Sequence, residues 1–265
     1  MAEKRITAPD IGAMKARGEK IAVLTAYDYP TGRLIDEAGI DVALVGDSLG
    51  MVVLGFDSTL PVTMDMMIHH TQAVARGCKR ALIVGDMPFM SYQTGVDDAV
   101  RNAGRFVQEA GAGAVKLEGG RRVAEIVEQI VSAGIPVMCH LGMTPQSIHQ
   151  YGGYTRQGKD EAAAAEIVED ARILQQAGAF SVVLEHVPHS LASQVTRALE
   201  IPTIGIGAGP DCDGQVLVTH DVLGFYDRFV PPFAKQYANL WETAKQALAQ
   251  YREEVRTGVF PRKED

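Results

Sequence analysis

A (β/α)8 barrel is the fold class this sequence predicts, and three observations predict it. Eight short apolar runs recur along the 265 residues, most of them too continuously apolar to keep one face wet. Strands buried on both faces belong to parallel sheets covered by helices. Between the runs lie segments with apolar residues at three-to-four spacing, the pattern of a helix with one buried face. Short tags, AGI at 38–40, AGA at 110–112, AGI at 133–135 and AGA at 177–179, close one helix and open the next run, where a helix-terminal glycine falls. Eight such alternations in about 250 residues is the count of a closed barrel.

The elements follow in chain order. The first 20 residues read as an extra N-terminal helix that closes the barrel bottom. IAVLTAY (21–27) is the first strand and VALVGD (42–47) the second; the helix MMIHHTQAVARG (66–77) then leads to ALIVGD (81–86). DDAVRNAGRFVQEAG (97–111) precedes AVKLEGG (114–120), RRVAEIVEQIVSAG (121–134) precedes PVMCHLG (136–142), and KDEAAAAEIVEDARILQQAG (159–178) precedes SVVLEHV (181–187). PTIGIGAG (202–209) and QVLVTHDVLG (215–224) complete the eight, although the five residues between them are too few for a full helix. ANLWETAKQALAQYREEVRTG (238–258) is amphipathic and long enough to be the last outer helix, with RKED beyond it frayed. No G-x-G-x-x-G follows the first strand, which argues against a dinucleotide-binding open sheet. No linker or low-complexity tract interrupts the chain, so a single barrel domain over 1–265 is expected.

Composition narrows the partners. A net charge of −8 with no long basic run argues against nucleic acid, whose phosphates demand a Lys/Arg-rich face. Small molecules are the expected ligands. Cys78, Cys139 and Cys212 are far apart and form no C-x-x-C, so neither a disulfide framework nor a zinc cluster is indicated. The N-terminus lacks a signal-peptide apolar region, and no apolar run is long enough to span a bilayer. A cytoplasmic protein without a membrane partner is expected.

In such a barrel the chemistry sits where the strands end. The runs end in Tyr27-Asp28, Asp47-Ser48, Asp86, Lys116-x-Glu118, His140 and Glu185-His186, which would set five carboxylates around one rim. Lys116 and Glu118 are two apart on a strand and so point to one side. A Gly-Asp after a strand is also a common helix cap. Two of them on neighbouring strands, with Glu118 on the next, favour a shared cation instead, and hard oxygen ligands without a Cys/His cluster favour Mg2+ over zinc. Lys116 is read as holding an anionic substrate, with an ion pair to Glu118 as the alternative. His140 reads equally as a core or a functional histidine, and His69 and His70 as surface or helix-packing residues. Glu185 has no Lys or Arg within five positions, and burial would raise its pKa toward that of a general base. The glycine-rich IGIGAGPDCDG (204–214) lacks Lys and Arg and carries Asp211 and Asp213, so it reads as close-packed backbone and not as a phosphate loop.

TAYD (25–28), GDSLGMV (46–52), GDMPFMSY (85–92), KLEGG (116–120), HLGMTPQS (140–147), LEHVP (184–188) and GIGAGPDCDGQVLV (205–218), in that order over most of the chain, resemble the ketopantoate hydroxymethyltransferase family. The resemblance implies a (β/α)8 TIM barrel of the phosphoenolpyruvate/pyruvate type. It also implies transfer of a hydroxymethyl group from 5,10-methylenetetrahydrofolate to 3-methyl-2-oxobutanoate, giving 2-dehydropantoate on the route to pantothenate and coenzyme A. Mg2+ is the implied cofactor, and a homo-oligomer, often a decamer, the implied assembly. Position by position, Asp47 and Asp86 would bind the metal with Glu118 contributing through water. Asp47, Ser48, Asp86 and Lys116 would bind the 2-oxo acid, and Glu185 would be the proton acceptor. The same metal and enolate logic would serve another Mg2+-dependent 2-oxo acid C–C or P–C lyase or mutase of this barrel superfamily. A metal-dependent sensor or structural ring subunit would bind the acid without proton chemistry.

Overall fold

In the computed structural model, which describes residues 4–225 and 230–262, eight parallel strands pair each with the next and the last with the first. They are β1 (Ile21–Thr25), β2 (Val42–Val45), β3 (Leu82–Asp86), β4 (Ala114–Glu118), β5 (Val137–Gly142), β6 (Ser181–Glu185), β7 (Thr203–Ile206) and β8 (Gly214–Leu217). Helix α1 (Ala8–Ala16) precedes the barrel and α2 (Tyr29–Glu37) follows β1. The β2–β3 connection carries α3 (Leu49–Val52) and α4 (Met64–Gly77). Next come α5 (Val96–Gln108), α6 (Ala124–Ser132), the pair α7 (Ile148–Tyr151) and α8 (Glu161–Gln176), and α9 (His189–Ala198), each between successive strands. Among the described residues no helix joins β7 to β8. Helices α10 (Thr219–Leu223) and α11 (Leu240–Thr257) follow.

The described residues divide into two compact units, Met1–Leu217 and Val218–Asp265, and the barrel is complete within the first. The eighth apolar run is therefore shorter as a strand than its sequence indicates: after Leu217 the chain turns into α10, which Gly224 ends in a left-handed conformation at φ +60°. In the second unit α11 forms as the sequence indicates, and none of its residues is buried. Lys263–Asp265, most of the frayed end read from the sequence, lie outside the described residues. Helices α2 and α9 escape the periodicity reading, being only 9 and 10 residues long.

The two-residue period of the strands sorts the core into two layers. Val23, Leu44, Val84, Ala114, Met138, Val183, Ile204 and Val216 pack together inside the barrel. Their chain neighbours Ala43, Val45, Ile83, Val115, Leu117, Cys139 and Leu184 pack outward with the helices. Followed upward, the inner phase carries Asp86, Lys116, Glu118, His140 and Glu185. At the other end α1 plugs the barrel, with Ala8 and Ile11 in the inner cluster. Lys15 on α1 donates to the carbonyls of Thr196 and Ile201 at 3.1 and 3.0 Å and pairs with Asp213 at 3.0 Å. Asp213 in turn accepts from the Thr203 N–H at 2.8 Å, so one carboxylate fastens the plug to the start of β7.

Glycines act in two ways. The tag glycines Gly39, Gly111, Gly134 and Gly178 all hold positive φ, as helix-ending residues do. Gly77 does not: a Cβ there would lie 2.6 Å from the Tyr29 carbonyl, so its use is to let α4 approach α2. Gly85, in the second of the two Gly-Asp pairs, has the same role, because a Cβ there would lie 2.3 Å from the Phe106 ring on α5. Gly85→Ala is expected to lower stability by about 1–3 kcal/mol through overpacking; a urea midpoint equal to the wild type's would refute this account.

Candidate active site

The inward carboxylates meet in the barrel mouth because parallel neighbours are closer than residues two apart on one strand. Cross-strand neighbours sit about 4.8 Å apart, whereas i and i+2 are separated by about 6.6 Å. Asp86 is the register partner of Lys116, and Glu118 that of His140. Lys116 Nζ accordingly donates to both oxygens of Asp86, at 2.8 and 2.9 Å, and the expected alternative pair with Glu118 does not form. Glu118 faces His140 instead, with Oε1 3.3 Å from Nδ1, and the other ring nitrogen, Nε2, lies 3.2 Å from Glu185 Oε2. Both ring nitrogens thus stand within ion-pair distance of a carboxylate, which sets the ring between two acids.

Asp47 stands just beyond β2, and its N–H donates to Asp86 Oδ2 at 3.3 Å. Neither Asp47 nor Asp86 caps a helix: the N-cap of α3 is Ser48 and that of α5 is Gly95. Asp28 does cap, accepting from the Thr31 N–H at 2.8 Å, and it is exposed. It leaves the rim of five carboxylates proposed from the sequence, and four remain. Ser48 is half-buried, its Oγ 2.8 Å from the Tyr27 hydroxyl. The Tyr27 carbonyl is held by His70 Nδ1 at 2.5 Å, which makes His70 the packing residue expected. Glu185, isolated from basic residues in sequence, is not isolated in space, because His140 lies beside it. Its side chain keeps 18% exposure at the top of β6. The next residue, His186, takes a left-handed φ of +48°, strain that is tolerated where surrounding bonds over-determine the backbone. Its N–H donates to the Ile206 carbonyl at 2.9 Å, and its own carbonyl accepts from the Gln157 N–H at 3.2 Å.

Two further residues complete the site and were not picked out from the sequence. Gln146 Nε2 donates to Asp47 Oδ2 at 3.0 Å, and the Gln146 N–H donates to Glu118 Oε2 at 3.0 Å. The Tyr92 hydroxyl accepts from the Glu118 N–H at 3.1 Å and contacts Gln146 Oε1 at 2.8 Å. Both lie in loops, where strand register gives no aim, although both fall within the strings GDMPFMSY and HLGMTPQS.

Charge balance is the dominant electrostatic fact. Asp47, Asp86, Lys116, Glu118 and His140 are each at most 4% exposed. Burial and the neighbouring charges of Asp86 and Glu118 push the Asp47 carboxyl well above the usual range, against the pull of Lys116. Burial also raises Asp86, the Lys116 charge opposing it. Burial disfavours the Lys116 cation, but Asp86, Glu118 and Asp47 outweigh it and hold the lysine charged. Burial and Lys116 likewise oppose a charge on His140, yet Glu118 and Glu185 carry its pKa up to about 9. Burial works against the Glu118 carboxylate, and His140 and Lys116 more than offset it, so Glu118 stays low. Four carboxylates thus face two cations, and Asp47 is the one without a cation of its own.

That deficit is what a divalent cation fits. Among the described residues no three His, Cys, Asp or Glu side chains are arranged as direct ligands of one ion. Glu118 is turned to His140 and the Gln146 N–H, and the neighbouring pair Asp47 and Asp86 remains. Mg2+ characteristically takes one or two carboxylates and fills the rest of its shell with water and substrate oxygens, so the donor set suits it. A separate cavity of about 340 Å³, lined by Arg121, Tyr151 and Asp170 among others, shares Gly142 with the rim but none of the four carboxylates. The loop 204–214 fits its reading as close-packed backbone: Gly207 and Gly209 hold positive φ, and a Cβ on Gly209 would lie 2.6 Å from the His189 ring. Among the described residues no helix is long and apolar enough to cross a membrane.

Comparison with known proteins agrees with this picture. A family model described as ketopantoate hydroxymethyltransferase matches residues 5–263. The chain is 61% identical over 258 residues to the 3-methyl-2-oxobutanoate hydroxymethyltransferase of Syntrophus aciditrophicus, covering 97% of this chain and 95% of that one. It is 62% identical over 260 residues to the protein of the same name from Moorella thermoacetica, covering 98% and 97%. Among solved structures it resembles 2,3-dimethylmalate lyase, a PEP mutase/isocitrate lyase superfamily member, with TM-score 0.63, 16% identity and coverage of 98% and 89%. A putative phosphonomutase from Burkholderia cenocepacia gives TM-score 0.63 at 14% identity, covering 95% and 99%. At such identities these structures establish the barrel type alone.

The charge deficit has a measurable sign. The folded-state pKa of Asp47 lies above its unfolded value, so below about pH 4 the carboxyl is protonated in both states, and above it ionisation disfavours the folded chain. In EDTA at neutral pH, Asp47→Asn is expected to melt above the wild type, the gap shrinking as pH falls toward about 4. A lower melting temperature for the variant at neutral pH would contradict the assignment of the deficit to Asp47.

Proposed function

Because the chain belongs to the ketopantoate hydroxymethyltransferase family, we propose that it transfers a hydroxymethyl group from 5,10-methylenetetrahydrofolate to 3-methyl-2-oxobutanoate, giving 2-dehydropantoate in pantothenate biosynthesis. The observation that carries the reading is the placement of Glu185 at the same barrel mouth as the Asp47–Asp86 pair and Lys116, in a chain that matches the family over 5–263.

Each residue then has work that its position supports. Asp47 and Asp86 would hold Mg2+, with Glu118 contributing through water. When bound, the metal supplies Lewis-acid stabilisation of the charge that develops on the 2-oxo oxygen. Lys116, kept charged by its carboxylate neighbours, adds a second positive centre for the anionic acid. Ser48, its hydroxyl steadied by Tyr27, would hydrogen-bond the acid beside Asp47. Glu185 takes the proton from C3 of the 2-oxo acid, leaving an enolate. Its carboxylate is partly exposed and so within reach of a ligand entering from solvent. Water breaks the C–N bonds that hold the one-carbon unit to the folate, releasing tetrahydrofolate, and the enolate C3 adds to that carbon at the formaldehyde oxidation level, so the water oxygen becomes the product hydroxyl.

The protein works as a cytoplasmic homo-oligomer, a decamer by family resemblance. The apolar residues exposed on α11, among them Trp241 at 41% and Leu248 at 68%, support self-association, since bare apolar stripes mark interaction surfaces.

Two experiments test the reading. Glu185→Gln is expected to bind 3-methyl-2-oxobutanoate while losing most C3–H exchange in deuterated water; full exchange in that variant would remove Glu185 as the base. Turnover is expected to vanish with a chelator and to require methylenetetrahydrofolate. Consumption of 2-oxo acid without the folate would point instead to a lyase or mutase.

A further inference from the structure

We infer that Gln146 is a positioning residue for the cation site: its side-chain amide sets the orientation of the Asp47 carboxylate, and its peptide N–H ties Glu118 to the same turn. The inference rests on the reading of Asp47 as a divalent-cation ligand.

Gln146 is 6% exposed and sits in the short helical turn Pro145–Ser147 that follows β5. A primary amide has two N–H donors and two acceptor lone pairs. Here all four are used: Nε2 donates to Asp47 Oδ2 at 3.0 Å and to the Met87 carbonyl at 2.9 Å, and Oε1 accepts from the Tyr92 hydroxyl at 2.8 Å and from Gln93 Nε2 at 3.1 Å. The amide therefore has one orientation. Turned over, its oxygen would meet the Asp47 carboxylate and the Met87 carbonyl, acceptors on every side, and its NH2 would meet the NH2 of Gln93.

The amide's partners come from the loops above β2 and β3 and Gln146 itself from the loop above β5, so the amide locks three loops to one another. A residue that merely joined loops would not have to touch charged groups. Gln146 touches two of the four carboxylates, Asp47 through Nε2 and Glu118 through its N–H. With Oδ2 fixed by Nε2, the plane of the Asp47 carboxylate is set before any cation arrives. Outer partners of this kind typically change metal affinity about 10–100-fold when mutated.

The test titrates full-length wild type, Gln146→Met and Tyr92→Phe with Mn2+, following free Mn2+ by electron paramagnetic resonance. Methionine keeps length and volume but offers Asp47 no donor; phenylalanine removes the lock on Oε1 together with the hydroxyl's bond to the Glu118 backbone, and leaves the Gln146 donor to Asp47 in place. Gln146→Met is expected to weaken Mn2+ binding about 10–100-fold, Tyr92→Phe by less. Part of the activity lost at low Mg2+ should return at high Mg2+, which a loss of folding alone would not show. Unchanged Mn2+ affinity in folded Gln146→Met overturns the inference while leaving the metal reading intact. A wild type that binds no Mn2+ overturns both. If Gln146→Met fails to fold, Tyr92→Phe decides, with unchanged affinity overturning the inference and weakened affinity supporting it.

Discussion

In the barrel mouth Lys116 donates to both oxygens of a buried Asp86, and the charge state of the surrounding groups depends on that pair. A buried ion pair is a weak source of net stability, because desolvation of both ions offsets their attraction. Its value here is placement. One lysine held charged among carboxylates opposes the rise that burial imposes on Asp86, and its field reaches Asp47 and Glu118 as well. His140 repeats the arrangement one strand further on, set between Glu118 and Glu185. The two cations do not balance the four acids, and the remainder falls on Asp47.

The rest of the architecture maintains this uneven arrangement. The inner layer below it is mostly apolar, and α1 closes the far end with Ile11 and Ala8. The charged layer therefore has water on one side only, which strengthens each interaction in it. Backbone clamps fix the rim in turn: the Met143 N–H donates to the Glu185 carbonyl at 2.9 Å, and Gly142 makes room for that approach, since a Cβ there would lie 2.3 Å from the same oxygen. Gly85 gives up a side chain so that Phe106 can lie against the base of Asp86. The aim of a rim carboxylate depends on such supports, because rigid elements hold a site more closely than loops do.

Proteins of the same barrel type at 13–17% identity share the frame and not the side chains, so shape alone does not decide chemistry. What distinguishes this chain is which residues occupy the inward phase at the strand ends. In this chain that phase brings four carboxylates, one lysine and one histidine together in the barrel mouth.

The sequence by itself determined the barrel, the shared facing of Lys116 and Glu118, and the nearness of the two Gly-Asp ends. All three follow from local rules, a two-residue strand period and apolar runs of fixed spacing, which one chain segment displays without its neighbours. Tertiary structure alone decided the partners. Lys116 chose Asp86 over Glu118 because the next strand is nearer than the next inward position on its own strand. Asp28, of the same residue type and also at a strand end, became a helix cap, since its chain turned into α2 before reaching the mouth. Glu185 gained His140 across the β5–β6 boundary, and Gln146 and Tyr92 reached the site from loops whose course no periodicity describes. Local pattern fixes which way a strand residue points; which charge it meets depends on strand register and loop path, quantities that exist only once the barrel has closed.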